Sequence, residues 1–122
     1  MFELTRKYEL HAARKLTSLD LEHPCAKLHG HTFSVTVALD GDIDPSKGWV
    51  MDFFEIDKIY KEEVHHFLDH KYLNDIPELS NPTTEHIAEW IWKKLKPSLD
   101  FLSAVEVKET CTTGCIYRGK NA

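Results

Sequence analysis

The sequence predicts an α+β fold, in which an antiparallel sheet is covered on one face by two helices. Three observations support this prediction. Two segments in the first third of the chain alternate apolar and polar residues, and two later segments carry apolar residues at helical spacing. Short alternating segments then return near the end of the chain. An antiparallel sheet with its helices on one face satisfies this order of elements.

The N-terminal strands are predicted from period-two alternation. Residues 2–11 alternate, although Arg6 interrupts their apolar side, and residues 29–39 alternate more regularly. Residues 17–28 lack any period and contain Pro24, which predicts a loop. After two turn segments, residues 49–51 predict a short return strand.

Capping residues and apolar spacing predict the two helices. Asp52 and Glu55 form a capping pair, and apolar residues continue the first helix as far as Leu68. Residues 69–82 predict a loop, and the second helix begins near Pro82 and stops before Pro97. Residues 103–109 alternate again, and a turn at 112–114 precedes a short final strand at 116–117. We expect residues 1–122 to form a single domain.

Composition excludes several classes of protein. The 122 residues include 15 Lys and Arg and 20 Asp and Glu, which gives a net charge of −5, and 42% are hydrophobic. This balance is typical of a folded domain, and without a basic cluster we expect no nucleic-acid partner. Because no apolar run approaches the ~18 residues of a membrane span, we expect no membrane partner. With no secretory signal pattern and three cysteines that cannot all pair, we expect a cytoplasmic protein with reduced thiols.

Two histidines interrupt an otherwise apolar strand face. His29 and His31 point to the same side of their strand, roughly 7 Å apart at Cα. This spacing suits two ligands of one zinc ion. The alternative is a pair of half-buried histidines that are hydrogen-bonded within the protein.

A carboxylate interrupts the face of a later strand. Glu109 follows Val105 and Val107 on the same side, so it must be paired, exposed at the strand end or engaged with a ligand. If it binds a ligand, its two oxygens can accept a parallel pair of N–H bonds from a heterocycle with adjacent amino and ring N–H donors.

Candidate acid–base residues lie in the predicted loops. Cys25, four residues before His29, is either a reactive thiolate near a cationic group or a small buried hydrophobe. Asp69 is positioned to orient the ring of His70, provided that these adjacent side chains meet.

Two further pairs carry less chemical signal. Cys111 and Cys115 lack a second pair of ligands, so a structural zinc site is not favoured. His65 and His66 are expected on the solvated surface of the first helix.

Several motifs together resemble the 6-pyruvoyltetrahydropterin synthase family. They are Cys25-x3-His29-Gly30-His31, Asp69-His70 and Lys108-Glu109-Thr110, supported by Gly48-Trp49, Asp52-Phe53, residues 69–75, Asn81-Pro82-Thr83 and residues 111–115. Within the family, the chain most resembles the bacterial 6-carboxytetrahydropterin synthases of the queuosine pathway. The resemblance implies the tunnelling fold, a four-stranded antiparallel sheet with two helices on one face. It also implies a homo-oligomeric barrel with active sites at subunit interfaces.

The resemblance also implies a reaction and its residues. Cys25 matches the catalytic cysteine, and Asp69 and His70 complete its proton relay. Glu109 matches the acid that anchors the pterin ring, and the histidines at 29 and 31 match two of three ligands of a Zn²⁺ cofactor. The implied lyase reaction converts 7,8-dihydroneopterin triphosphate to 6-carboxy-5,6,7,8-tetrahydropterin, with loss of triphosphate and acetaldehyde.

The chain departs from the family at the third zinc ligand. Arg14 stands where the family has a histidine, and arginine has no lone pair to offer a metal. Either His11 substitutes, which requires a bulge or slip in the strand, or zinc binds through two histidines and other ligands, or the site is metal-free. We carry forward a zinc site formed by His29, His31 and His11.

Three other functions stay open from the sequence. A 6-pyruvoyltetrahydropterin synthase would remove triphosphate but keep the three-carbon side chain. A non-catalytic pterin-binding protein is favoured by Arg14. An oligomeric scaffold would leave Glu109, Cys25 and the two histidines without a common purpose.

Overall fold

A computed structural model describes residues 1–120 and contains one sheet with helices on one face. The strands are β1 (Phe2–Arg14), β2 (His29–Gly41), β3 (Lys71–Tyr72), β4 (Leu102–Lys108) and β5 (Gly114–Tyr117). Their order across the sheet is β3-β1-β2-β4-β5. Strands β1 and β2 form a long antiparallel pair in continuous register, from Phe2 opposite Gly41 to Arg14 opposite His29.

The expectation of a four-stranded antiparallel sheet is wrong by one strand. The four predicted strands form, but β3 adds a fifth, which runs parallel to β1 beside Ala12 and Ala13. Its two residues are too few to show any alternation in the sequence. It forms because the amide of His70 donates to the carbonyl of His11 at 2.6 Å and holds the following residues against β1. The predicted return strand at 49–51 reduces to a single bridge between Trp49 and Asp44.

Both helices begin within two residues of their predicted starts at Asp52 and Pro82. Helix α1 (Phe53–Tyr60) continues through a π-helical turn (Lys61–His65) into the short α2 (His66–Leu68), and α3 spans Thr84–Leu95. The carboxylate of Asp52 accepts from the amide of Phe54 at 2.9 Å, and the hydroxyl of Thr83 accepts from the amide of His86 at 3.1 Å. Each cap satisfies an amide that the first turn leaves free, which stabilises the helix by about 1 kcal/mol. Of the helices within residues 1–120, none has the length and apolar character to cross a membrane.

A single core lies between the sheet and the helices. The buried strand residues are those that alternation placed on one face, and the helices cover that same face. The core residues include Leu10, Phe33, Val35, Val37, Leu39, Ile56, Val64, Leu68, Ile87, Ile91, Val105 and Val107. Each such side chain contributes about 1.5 to 3 kcal/mol when it is fully buried. The predicted inward face of each long strand is therefore confirmed.

This apolar face ends where β1 finishes and β2 begins. At that end of the sheet the inward positions carry Arg14, His29 and His31 instead of apolar side chains. Glu109 follows directly after β4. The fold thus gathers the polar interruptions of three strands at one end of its core.

Candidate active site

The paired histidines share one face of the sheet, as the strand pattern predicts. In the β1–β2 register, His29 is opposite Arg14 and His31 is opposite Ala12, and directly opposed residues share a face. The two imidazole rings stand nearly perpendicular, with centroids 4.7 Å apart.

The hydrogen bonding of His29 fixes its tautomer. Its Nδ1 lies 2.7 Å from the carbonyl oxygen of Lys27, and because a carbonyl only accepts, Nδ1 must donate. Nε2 of His29 therefore carries a lone pair when the ring is neutral. This atom is buried and has no hydrogen-bond partner within residues 1–120. At His31, burial lowers the pKa, and the positive charge of Arg14 lowers it further.

A buried arginine opposite His29 forms an ion pair with Glu109. The side chain of Arg14 is 1% exposed, and its guanidinium donates to the carbonyl of Pro82 at 2.9 Å and to Oε1 of Glu109. Its Cζ also lies 5.0 Å from the centroid of the Phe33 ring. Two hydrogen bonds and an aromatic face hold the guanidinium in one position.

Glu109 is neither free in solvent nor fully buried. Its side chain is 30% exposed, and Oε1 accepts from both Arg14 and the hydroxyl of Thr84. Burial raises the pKa of Glu109, but these two hydrogen bonds outweigh it and hold the pKa below its usual range. Within residues 1–120, Oε2 has no hydrogen-bond partner. The carboxylate lines a cavity of about 270 Å³ together with Thr84, Thr113 and Cys115.

The structure separates His11 from the other two residues of the expected zinc site. His11 is opposite Thr32 and lies on the other face of the sheet from His29, because the register is continuous between positions 11 and 14. Its Nδ1 contacts the hydroxyl of Thr32 at 3.0 Å. Across residues 1–120, no three His, Cys, Asp or Glu side chains are grouped so that they could hold a metal ion. Since Arg14 occupies the third position with no lone pair, the residues present do not fit a three-ligand zinc site.

Asp69 and His70 form a second cluster at the β1 edge. Nδ1 of His70 lies 2.7 Å from Oδ2 of Asp69, so these adjacent side chains do meet. They meet because His70 adopts a left-handed backbone with φ 59°, which is uncommon for a residue other than glycine. The other oxygen of Asp69 accepts from the amide of His11 at 3.0 Å. Burial raises the pKa of Asp69, but the hydrogen bonds from His11 and His70 lower it below its usual range.

His65 is a member of this cluster that the sequence analysis missed. Its Nε2 lies 3.3 Å from Oδ2 of Asp69, although the sequence pattern placed it on the solvated helix surface. The spacing of four residues to Asp69 was the available signal. His65 is the last residue of the π-helical turn. His66, its neighbour, is exposed as expected.

Cys25 lies in the loop that joins β1 to β2. It belongs to a 3₁₀ turn (Pro24–Ala26), and its carbonyl accepts from the amide of Leu16 at 2.9 Å, which ties the loop to the end of β1. Its amide donates to Nδ1 of His23 at 3.1 Å. The thiols of Cys25 and Cys115 are free and half-buried, whereas that of Cys111 is free and exposed.

The structure therefore brings the predicted site residues into separate groups. His29 and His31 share a face with Arg14, which is bonded to Glu109, whereas Asp69 and His70 form their own cluster. His31 and His70 nevertheless line the same shallow cavity of about 520 Å³. Glu109 lines a different cavity, together with Thr84 and Cys115.

Comparison with known proteins gives consistent matches over almost the whole chain. Residues 3–120 match the family model described as 6-pyruvoyl tetrahydropterin synthase. A 6-pyruvoyl tetrahydrobiopterin synthase of Dictyostelium discoideum is 38% identical over 96% of both chains. A 6-carboxy-5,6,7,8-tetrahydropterin synthase of Synechocystis is 37% identical over 96% of this chain and 93% of its own. The solved structure of Caenorhabditis elegans 6-pyruvoyl tetrahydropterin synthase superposes with a TM-score of 0.88 at 27% identity, covering 98% of this chain and 96% of that one.

Proposed function

Because this chain belongs to the 6-pyruvoyl tetrahydropterin synthase family, we propose that it is a 6-carboxy-5,6,7,8-tetrahydropterin synthase of queuosine biosynthesis. The proposed lyase converts 7,8-dihydroneopterin triphosphate and one water to 6-carboxy-5,6,7,8-tetrahydropterin, triphosphate and acetaldehyde. The water supplies the second carboxyl oxygen, and the two outer side-chain carbons leave as acetaldehyde. The Synechocystis relative of that name supports this product.

Glu109 is the observation that carries the proposal. It is an ionised carboxylate at a cavity, and Oε2 lacks a partner within residues 1–120. A pterin ring carries adjacent amino and ring N–H donors, which a carboxylate accepts in parallel. In the proposed complex, one N–H group of the pterin donates to Oε2. The other donates to Oε1, which continues to accept from Arg14 while the hydroxyl of Thr84 rotates away. Ring binding then fixes the three-carbon side chain for reaction.

The acid–base work falls to the two loop groups. Cys25 as thiolate removes a proton from the substrate side chain, and His70 moves protons on and off its oxygens. Asp69 holds His70 in one orientation through the contact between Oδ2 and Nδ1. No step is assigned to zinc, because the donor set described above does not fit it.

We further propose that the active site is shared between subunits of a homo-oligomer. Within residues 1–120, β3 pairs only with Ala12 and Ala13, so most of β1 is an open edge that can pair with another chain. The side chain of His70 is 76% exposed in one chain, which leaves room for a second subunit at this cluster. Sedimentation is expected to show an oligomer at assay concentrations. A fully active monomer would contradict shared sites.

The reaction itself is tested by product identification. The purified protein is incubated with 7,8-dihydroneopterin triphosphate, and we expect release of acetaldehyde and triphosphate in equal amounts with a 6-carboxytetrahydropterin. Triphosphate release without acetaldehyde would instead favour a pyruvoyl product, the activity named for the Dictyostelium relative. Binding of the substrate without any turnover would favour a non-catalytic pterin-binding protein.

A further inference from the structure

The position taken by Arg14 has consequences for the metal chemistry of the site. Arg14 lies on the histidine face of the sheet and is directly opposite His29 in the β1–β2 register. The side chain is 1% exposed and is held by Pro82, Glu109 and the ring of Phe33. A guanidinium is charged throughout the accessible pH range and offers no acceptor atom. A permanently charged side chain therefore occupies the chain position at which the family resemblance expects the third metal ligand.

The histidines retain part of the arrangement of a metal site. Nδ1 of His29 donates to a backbone carbonyl, which leaves the buried Nε2 lone pair without a partner within residues 1–120. A histidine that ligates a metal is oriented in the same way. His31 lies beside it, with the ring centroids 4.7 Å apart. Two neighbouring imidazoles thus share one face of the sheet with a fixed cation, and the charge of this cation repels Zn²⁺.

We propose that Arg14 replaces the zinc ion of this site, so that the protein has no resident zinc and its fixed positive charge is a guanidinium. Arg14 neutralises Glu109 and holds it through one oxygen, while the other oxygen stays free for a ligand. The charges of Arg14 and Glu109 therefore balance each other, and Glu109 is held in place for a ligand without a metal ion. This inference concerns metal content and does not require the pterin reaction to be correct.

The test exchanges the arginine for the missing ligand. Wild type and Arg14→His are dialysed against Zn²⁺, and bound zinc is measured by elemental analysis and by competition with a chromophoric chelator. We expect less than about 0.1 zinc per chain in wild type and about one per chain in Arg14→His, since three histidines complete a zinc site. We also expect Zn²⁺ to raise the melting temperature of Arg14→His but not that of wild type.

Matched variants separate the ligand from the charge. Arg14→Leu removes the charge without adding a donor and is expected to bind no zinc. Arg14→His combined with His29→Ala is expected to lose the gained zinc. Substitution with Co²⁺, followed by visible absorption, reports whether the gained site is tetrahedral.

The wild-type measurement keeps the inference testable even if Arg14→His does not fold. About one zinc per wild-type chain, lost in His29→Ala, would overturn the inference. A folded Arg14→His protein that binds no more zinc than wild type would overturn the assignment of Arg14 as the residue that excludes it. Because none of these readouts uses the substrate, failure of the proposed reaction leaves their interpretation unchanged.

Discussion

Replacing Glu109 by glutamine is expected to lower the free energy of unfolding by about 3 kcal/mol. The substitution keeps the size of the side chain but removes its charge, and the guanidinium of Arg14, which is 1% exposed, is left without a counter-ion. Breaking a buried ion pair by removing one partner costs about 3 to 5 kcal/mol. We expect the lower end of this range because the side chain of Glu109 is 30% exposed. Denaturant titration at fixed protein concentration measures the change.

A neighbouring glutamate provides a matched control. Glu106 lies on β4 with a similar exposed fraction, 28%, but its partner is Lys108, 4.0 Å away, whose side chain is 37% exposed instead of buried. Glu106→Gln should therefore cost less than about 1 kcal/mol. Adding Arg14→Met to Glu109→Gln should recover most of the lost stability, because no unpaired charge then remains buried. Equal losses in Glu109→Gln and Glu106→Gln would contradict the buried pair.

The pH dependence of the same variant has a defined sign. The pKa of Glu109 is below its usual value in the folded protein, so its stabilising effect is present above the unfolded pKa of about 4.3. That effect is lost as the pH falls through the lower folded pKa. The difference in stability between wild type and Glu109→Gln is therefore expected to shrink below about pH 4.

The sequence predicts most of the fold because alternation and capping are local signals. The faces of β1 and β2, the cap at Asp52 and the start of α3 near Pro82 follow from residues that are close together in the chain. Strand β3 could not be predicted, because it depends on a left-handed backbone at His70 and on a contact with β1. Pairings of this kind between distant segments leave no periodic trace.

The site was predicted less completely, although the sequence does contain a signal for its main feature, the ion pair between Arg14 and Glu109. Alternation from Leu10 continues inward through Ala12 to Arg14, and Glu109 similarly ends an inward face. Two opposite charges on apolar faces must each find a partner, so their pairing was a foreseeable solution. The contribution of Thr84 depended on how α3 packs beside β4, which the sequence alone does not give.

Replacing Cys25 by alanine is expected to lower turnover of 7,8-dihydroneopterin triphosphate by about 10²- to 10⁴-fold, the usual effect of removing a general base. Ring binding is expected to stay unchanged, because the proposed anchor, Glu109, is bonded to Arg14 and Thr84 and not to the loop that carries Cys25. Single-turnover kinetics measures the chemical step. Equilibrium dialysis with 7,8-dihydroneopterin, which lacks the triphosphate leaving group, measures ring binding separately.

Cys111 supplies the control for this experiment, because its thiol is also free but is exposed. Cys111→Ala should change turnover by less than about twofold, since surface substitutions usually have small effects. A loss confined to Cys25→Ala, with ring binding intact, separates proton transfer from binding, because a general loss of structure would weaken both. Turnover of Cys25→Ala within about threefold of wild type would remove the thiol from the reaction. The histidine of the Asp69–His70 pair would then be the remaining candidate for the base, since its side chain is exposed and held by the carboxylate.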